Sequence, residues 1–426
     1  MTASARTLDD VRSIVPPTLI ERAFRPFWVL PLVVSIACIA AGLAVPTIEE
    51  ALGKQVPFVF EGGPDGARGL LSTIASAMIS VTGLVFSITM VVLQLASSQF
   101  TPRVLTNFLA RRVSQLTLGV FTGTFLYSLT VLRSVRGGND IAPFVPQVAV
   151  TLSFVLVLAC VALFLAFIRE ITMSIQVGYV VSQIGDTAAK AVDDLYPEDP
   201  GSGPEMRWEP PSSQARWLHS GDRHGHLTHV DYEDMVRTAK AADAVVEIVV
   251  AIGDVVVERQ PVARVWGLSE GVSTGDLFDD VEETRSVEKA LTDALGIGQA
   301  RSSRQDLTFR VRQLVDIAER ALSPGINDPT TAIQVIDELH RILRPLVGRE
   351  TPSPCIVDDD EVVRVVHRVP SVESLLALAV EEINHYGGES LQVPRHLHDM
   401  LEDLSYAARP ELQPAITLWR ERIPRV

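Results

Sequence analysis

The sequence predicts an α-helical membrane domain of four spans joined to a cytosolic α+β part, in which a small β-barrel-like domain precedes a helical bundle. Three observations carry that reading. Four apolar runs long enough to cross a bilayer crowd the stretch before Arg169. A β-branched stretch punctuated by Gly and Pro lies around Val245–Val265. From Thr284 onward, apolar residues recur at the three- and four-residue steps of helices with one buried face. The divisions that follow are a transmembrane part over 1–170, a helical extension and linker over 171–206, a β-rich domain over 207–283 and a helical domain over 284–426.

Composition bounds the rest. Hydrophobic residues make up 47 % of 426, too long a chain for one compact core. Residues 1–170 carry 12 Lys/Arg against 9 Asp/Glu, and the remainder 25 against 43, so the net charge of −15 divides into +3 and −18. An acidic second part argues against nucleic acid as a partner, which needs clustered Lys/Arg facing phosphates. Cys38, Cys160 and Cys355 form no disulfide framework and read as small buried apolar groups. A mixed-polarity segment precedes the first apolar run. That run ends at Pro46 without a small-residue cleavage pattern, so no signal peptide is expected.

The spans read as Phe27–Val45, Leu70–Leu95, Leu116–Leu132 and Val145–Ile168. Arg6, Arg12, Arg22, Arg25, Arg103, Arg111, Arg112 and Arg169 gather on one side. Lys54, Arg68, Arg133 and Arg136 on the other are diluted by acids, which places both termini in the cytoplasm. The second span has no charged residue and carries a polar stripe of Thr73, Ser76, Ser80, Gly83, Ser87, Met90 and Gln94, continued by Ser97. A face of that kind does not suit lipid tails, and two readings stay open. It packs against the other spans, its hydroxyls returned to the helix backbone, or it lines water in an assembly of several subunits. Gln94 favours the second, because an unpaired amide in lipid is costly. Gly119 and Gly123 in the third span allow close helix approach, within the chain or between copies. Pro102 is expected to end or kink the second helix, with Arg103, Arg111 and Arg112 forming a basic patch beyond it.

Met173–Tyr196 reads as a further helix and Pro197–Pro204 as a linker. In Val245–Val265, the Gly253-Asp254 turn and Pro261 resemble half of the barrel of biotinyl and lipoyl carriers. No lysine stands at the hairpin tip, so that chemistry is absent. Leu307, Val311, Leu314, Val315, Ala318 and Leu322 mark one helix. Asp328 and Pro329 begin another, with more helices around Ser371–Tyr386 and His396–Arg422. In Ser323-Pro324-Gly325-Ile326-Asn327-Asp328, the plain reading is a capped turn, Gly325 supplying permissive dihedrals. The sharper one is a coupling surface. His224 and His226 could face a metal from one strand or sit in a solvated turn. Asp276–Glu283 and Asp358–Glu361 read as solvated acidic runs. No phosphate loop, nucleophile elbow, zincin helix or CxxC is present, so neither an enzyme nor a cofactor is expected.

Two stretches together, Met78–Arg103 and Ala321–Ala332, resemble the bacterial membrane-protein family called domain of unknown function 2254. The resemblance implies a bacterial inner-membrane protein with a membrane half and a cytosolic half, and implies no activity. His226 departs from it, standing where the family tends to have an aromatic after glycine. The expectation is therefore a homo-oligomeric ion channel or channel-like transporter with cytosolic regulatory domains. The alternatives are a membrane-anchored sensory or scaffold protein and, third, a metal-dependent membrane enzyme using the histidines. The lipid bilayer and further copies of the chain are the expected partners, with an unidentified cytosolic one.

Overall fold

The computed structural model describes residues 3–4, 6, 26–52, 60–99, 112–137, 144–196, 198, 205–206, 208–268, 279–301 and 305–425. The chain divides into two compact units, 17–179 and 1–16 with 180–426.

The first unit holds four helices long and apolar enough to cross a membrane. They are α1 (Val29–Leu52), α2 (Pro64–Gln99), α3 (Arg112–Leu132) and α4 (Gln147–Ile175). Each begins or ends beyond the apolar run that announced it. α1 continues through Pro46, where the sequence reading stopped it. Beside that proline, Thr47 returns its hydroxyl to the helix backbone, donating to the Leu43 and Ala44 carbonyls. α2 starts at Pro64 with Asp65 in its first turn, a start suited to fixed proline φ and to the positive helix end. Gln147 opens α4, whose first amides are capped from another helix. The Glu49 carboxylate accepts from Val148 N at 3.0 and 3.1 Å.

α3 is the centre of this unit. It has the lowest hydropathy of the four, 1.3, and the largest buried share, 56 %. Ser114, Gln115, Thr117, Thr124 and Ser128 are all buried on it. Gly119 and Gly123 serve contact within the chain. A Cβ at Gly119 would lie 3.0 Å from Pro31 Cα, and one at Gly123 would lie 2.7 Å from Cys38 Sγ. The Tyr127 hydroxyl, fully buried, donates to Ala149 O at 3.0 Å. α4 ends where Gln176 turns extended, at φ −76° and ψ 117°, and α5 (Val177–Leu195) follows at once.

The second unit mixes sheet and helix. Its strands are β1 (Ala3–Ser4), β2 (Glu205–Met206), β3 (Arg216–His219), β4 (Gly225–Val230), β5 (Val245–Ile248), β6 (Val255–Val256), β7 (Pro261–Trp266), β8 (Leu295–Gly298), β9 (Cys355–Val357) and β10 (Val363–Val366). They form a five-stranded sheet ordered β3-β7-β5-β10-β9, a three-stranded sheet ordered β6-β4-β8, and the pair β1-β2. No closed barrel is found among the described residues. Within 245–265, β5 and β7 pair antiparallel with each other, while β6 between them joins β4 in the other sheet, so the stretch does not form half of a barrel. The β5–β10 pair is parallel and brings in a strand from far along the chain. Leu218, Leu227, Val246, Val262, Val265, Leu295, Ile356 and Val365 fill the core, with Met235 and Val236 of α6 (Tyr232–Ala241). Asp231 caps α6 by accepting from Asp234 N at 3.1 Å.

The helices of this unit are α7 (Asp279–Asp293), α8 (Leu307–Leu322), α9 (Pro329–Leu346), α10 (Val372–Gly387), α11 (Val393–Ala407) and α12 (Gln413–Arg422). α8 packs on α9 and α10, and α9 on α11. The expected start at Asp328 is present: its carboxylate accepts from Thr331 N at 3.1 Å and from the Thr331 hydroxyl at 2.6 Å. α5 is tied to these helices by Arg341, 3.0 Å from Asp186, and by buried Arg349, which donates to Tyr196 O at 2.8 Å.

Candidate functional site

On α2 the two classes of side chain separate by face. Ala67, Leu71, Ile74, Ala75, Met78, Val85 and Val92 are buried. Thr73, Ser76, Ser80, Gly83, Ser87, Met90 and Gln94 are all exposed in the single chain. At about 100° of rotation per residue, the centres of the two sets lie roughly 180° apart. The stripe therefore turns away from α1, α3 and α4, and packing against the chain's own spans does not account for it. Leu84, Val91 and Leu95 on one flank and Ile79 and Phe86 on the other are exposed apolar residues suited to lipid. From Thr73 to Gln94 the stripe runs about 32 Å at ~1.5 Å per residue, close to the thickness of bilayer hydrocarbon.

Hydrogen bonding along the stripe is uneven. Thr73 donates to Gly69 O at 2.8 Å and Ser80 to Ser76 O at 2.9 Å, so these hydroxyls are satisfied within the helix. The Gln94 amide bonds to no described residue. Of the residues at the foot of this helix, Pro102, Arg103 and Arg111 lie outside the described residues, and Arg112 is the first residue of α3.

The second motif is a surface turn between α8 and α9. Pro324, Gly325, Ile326 and Asn327 are exposed, with Ile326 at 46 %. Asp328 N donates to Ala321 O at 2.7 Å and Asn327 N to Ser323 O at 2.9 Å, closing the turn. The special backbone belongs to Asn327, at φ 51°, and not to Gly325, which has no left-handed φ and open space around its Cβ position. Asparagine tolerates that region because its short amide bonds locally. Thr331 and the backbone amides behind Asp328 hold its carboxyl below the usual range.

The histidines diverge. His224 is exposed, 3.8 Å from Glu258, while His226 Nδ1 meets Gly253 O at 3.0 Å and His229 Nδ1 meets the Thr228 hydroxyl at 3.1 Å. No metal-holding group of three His, Cys, Asp or Glu occurs among the described residues. Residues 276–278 of the first acidic run lie outside the described residues. The second run is a structural turn, in which Asp358 is buried and accepts from Arg364 at 2.7 Å.

One arrangement has no counterpart in the sequence reading. In the second unit a cavity of about 50 Å³ is bounded by Arg6, Tyr196, Tyr232, Asp306 and His367 among others. Three of these come from positions 6, 232 and 367, with no shared periodicity or motif to join them.

The sequence profile of a family described as Predicted membrane protein (DUF2254) matches residues 25–403. The chain belongs to this family. As a DUF2254 protein with four apolar helices it is a membrane protein. It is similar to the uncharacterized proteins Mb1321c of Mycobacterium bovis and Rv1290c of Mycobacterium tuberculosis. Each is 32 % identical over 392 residues, covering 91 % of this chain and 73 % of the relative. No solved structure matches the chain.

Proposed function

We propose that this DUF2254 protein is the subunit of a homo-oligomeric ion channel or channel-like transporter in which α2 lines the path. The observation that carries the reading is the exposed stripe from Thr73 to Gln94, turned away from the rest of its own bundle. Polar faces in membrane helices are buried against protein or face water-filled cavities. Four helices from one chain leave no room for an aqueous path of their own, so copies around an axis would bring their stripes together. The excess of arginine on one side of the spans supports cytoplasmic termini in a bacterial inner membrane. The second unit would then gate the path or frame its inner mouth. No catalysis is part of this reading.

The self-satisfied hydroxyls of Thr73 and Ser80 favour a second reading. Stripes of that kind can pack dry against one another, giving an oligomeric sensor or scaffold without permeation.

Current through planar bilayers holding the purified oligomer, in asymmetric salt, separates the two. Ion-selective openings whose reversal potential moves with Ser87→Asp support the channel. Single cysteines extend the test: Ser80→Cys and Ser87→Cys should react with small aqueous thiol reagents while Leu84→Cys stays inert. Equal inertness at all three, with no current, leaves the dry assembly.

A further inference from the structure

We propose that one end of the helical part of the second unit, carrying Ile326, Tyr386 and Leu391, is a contact surface for the lipid bilayer, its apolar side chains seated at the boundary of headgroups and acyl chains. The inference needs a membrane protein and no permeation.

Three helix ends meet there. Leu322 closes α8, Gly387 closes α10 and Val393 opens α11. A Cβ at Gly387 would lie 2.5 Å from Val393 Cγ1 and 3.1 Å from Leu322 Cδ1, so these ends touch. Around the junction stand Ile326 in the turn between α8 and α9, Tyr386 in the last turn of α10, and Leu391 between α10 and α11. They are 46 %, 54 % and 68 % exposed. A single exposed apolar residue is ordinary, but three gathered at one junction call for a covering medium. Ile326 is held outward by a closed turn. Its N–H donates to Ser323 O at 3.0 Å, and the next two amides bond to Ser323 O and Ala321 O.

The medium is indicated by α5, the helix by which the chain enters this unit. Arg341 of α9 donates to Asp186 at 3.0 Å, and Arg349, just past α9, donates to Asp193 at 2.8 Å. The two sets of positions rise together, so α5 and α9 run in the same direction. Going back from Arg341 to Pro329 covers about 18 Å at ~1.5 Å per residue, which carries the turn toward the end where α5 begins. α5 follows the apolar α4 with Gln176 alone between them. The patch thus belongs to the end of the unit that the chain enters directly from a membrane span. So short a tether gives a bilayer surface a high effective concentration at that end.

The side chains suit that medium. Isoleucine and leucine offer apolar area, and tyrosine sets an apolar ring and a wet hydroxyl across the boundary. The charges nearby offset one another, exposed Arg320 standing against exposed Glu389, and the Asp328 carboxylate is engaged as the cap of α9. Apolar area, and not headgroup charge, therefore supplies the attraction.

The test is photocrosslinking of the full chain in phosphatidylcholine vesicles, with p-benzoylphenylalanine in place of Ile326, Leu391 or Tyr406. Tyr406 is the control for mere exposure: it is 77 % exposed and stands about 20 Å along α11 from Val393, at ~1.5 Å per residue. Leu158, 55 % exposed on α4, sets the yield of a lipid-facing position. Adducts with the mass of one phospholipid are expected at 326 and 391, several-fold above 406 and unchanged in high salt. Ile326→Asp should cut the adduct at 391 several-fold, because a carboxylate resists the apolar boundary. Lipid adducts at 326 and 391 no more abundant than at 406, while position 158 gives its full yield, overturn the proposal. So do adducts joining two copies of the chain, which would make the patch a subunit interface, and a lipid yield that collapses in high salt.

Discussion

Removing the carboxylate of Asp358 should unlatch the edge of the five-stranded sheet. Asp358 and Arg364 are 5 % and 7 % exposed and flank the turn between β9 and β10. One Asp358 oxygen accepts from Arg364 Nε at 2.7 Å, and the other from Asp360 N at 2.9 Å and Val362 N at 3.1 Å. Asp358→Ala deletes a charge-assisted hydrogen bond, worth about 1.5–3 kcal/mol, and strips two turn amides of their acceptor. Arg364 keeps a bond to Asp243 at 2.9 Å, and the Asp243 side chain is 92 % exposed, so the guanidinium is not wholly orphaned. The expected cost is therefore about 2–3 kcal/mol, below the ~3–5 kcal/mol of a fully broken buried pair. Hydrogen exchange at β9 and β10 amides reads it locally, and denaturant unfolding reads it globally. Arg364→Met added to Asp358→Ala should recover part of the loss, because the uncompensated cation goes with it. Acid gives a second readout. Burial alone would raise the Asp358 carboxyl, but Arg364 and the turn amides outweigh it and hold it below the usual range. A depressed carboxyl stabilises the fold above its unfolded pKa, about 3.9, and that contribution fades as pH falls through the lower folded value. Asp358→Ala should lack this acid-sensitive part. A single-variant cost under about 1 kcal/mol, or a double variant as weak as the sum of its singles, would refute the reasoning.

Two further expectations concern backbone and packing. Asn327→Ala should cost about 1 kcal/mol in thermal or denaturant unfolding, because alanine pays the left-handed penalty at φ 51°, whereas Asn327→Gly and Gly325→Ala should be near neutral. Gly119→Val should separate α1 from α3, since even its first carbon would lie 3.0 Å from the Pro31 backbone; a lower melting temperature in detergent, with Gly69→Val as an open-space control, checks it.

What could be read from the sequence follows the range of the forces involved. The four spans were legible because each is a long, mostly apolar run without a charged residue, and the Asp328 start because cap and proline are neighbours. Periodicity located the stripe on one face of α2. It could not say whether that face meets the bundle, since the angle of a helix about its axis is fixed by partners far along the chain. The barrel expectation failed for a related reason. The local pairing of β5 with β7 is present, but β5 also found β10, more than a hundred residues away, and β6 found β4 in a separate sheet, so no barrel closes among the described residues. In the Ser323–Asp328 turn, composition pointed to glycine for the unusual dihedral, while the chain places asparagine there. The Arg6–Tyr232–His367 cavity had no local signal at all.

The least apolar of the four helices is the one most enclosed by protein, and this bears on biogenesis. Apolarity is needed in proportion to the lipid a helix must face, and α3, wrapped by its neighbours, is released from that demand. Its buried Ser, Thr and Gln side chains would burden a lone helix entering the bilayer, yet they are sheltered once α1, α2 and α4 surround it. The order of insertion is thereby constrained: α3 gains a stable place only as its companions arrive, and the four spans settle as one cooperative unit.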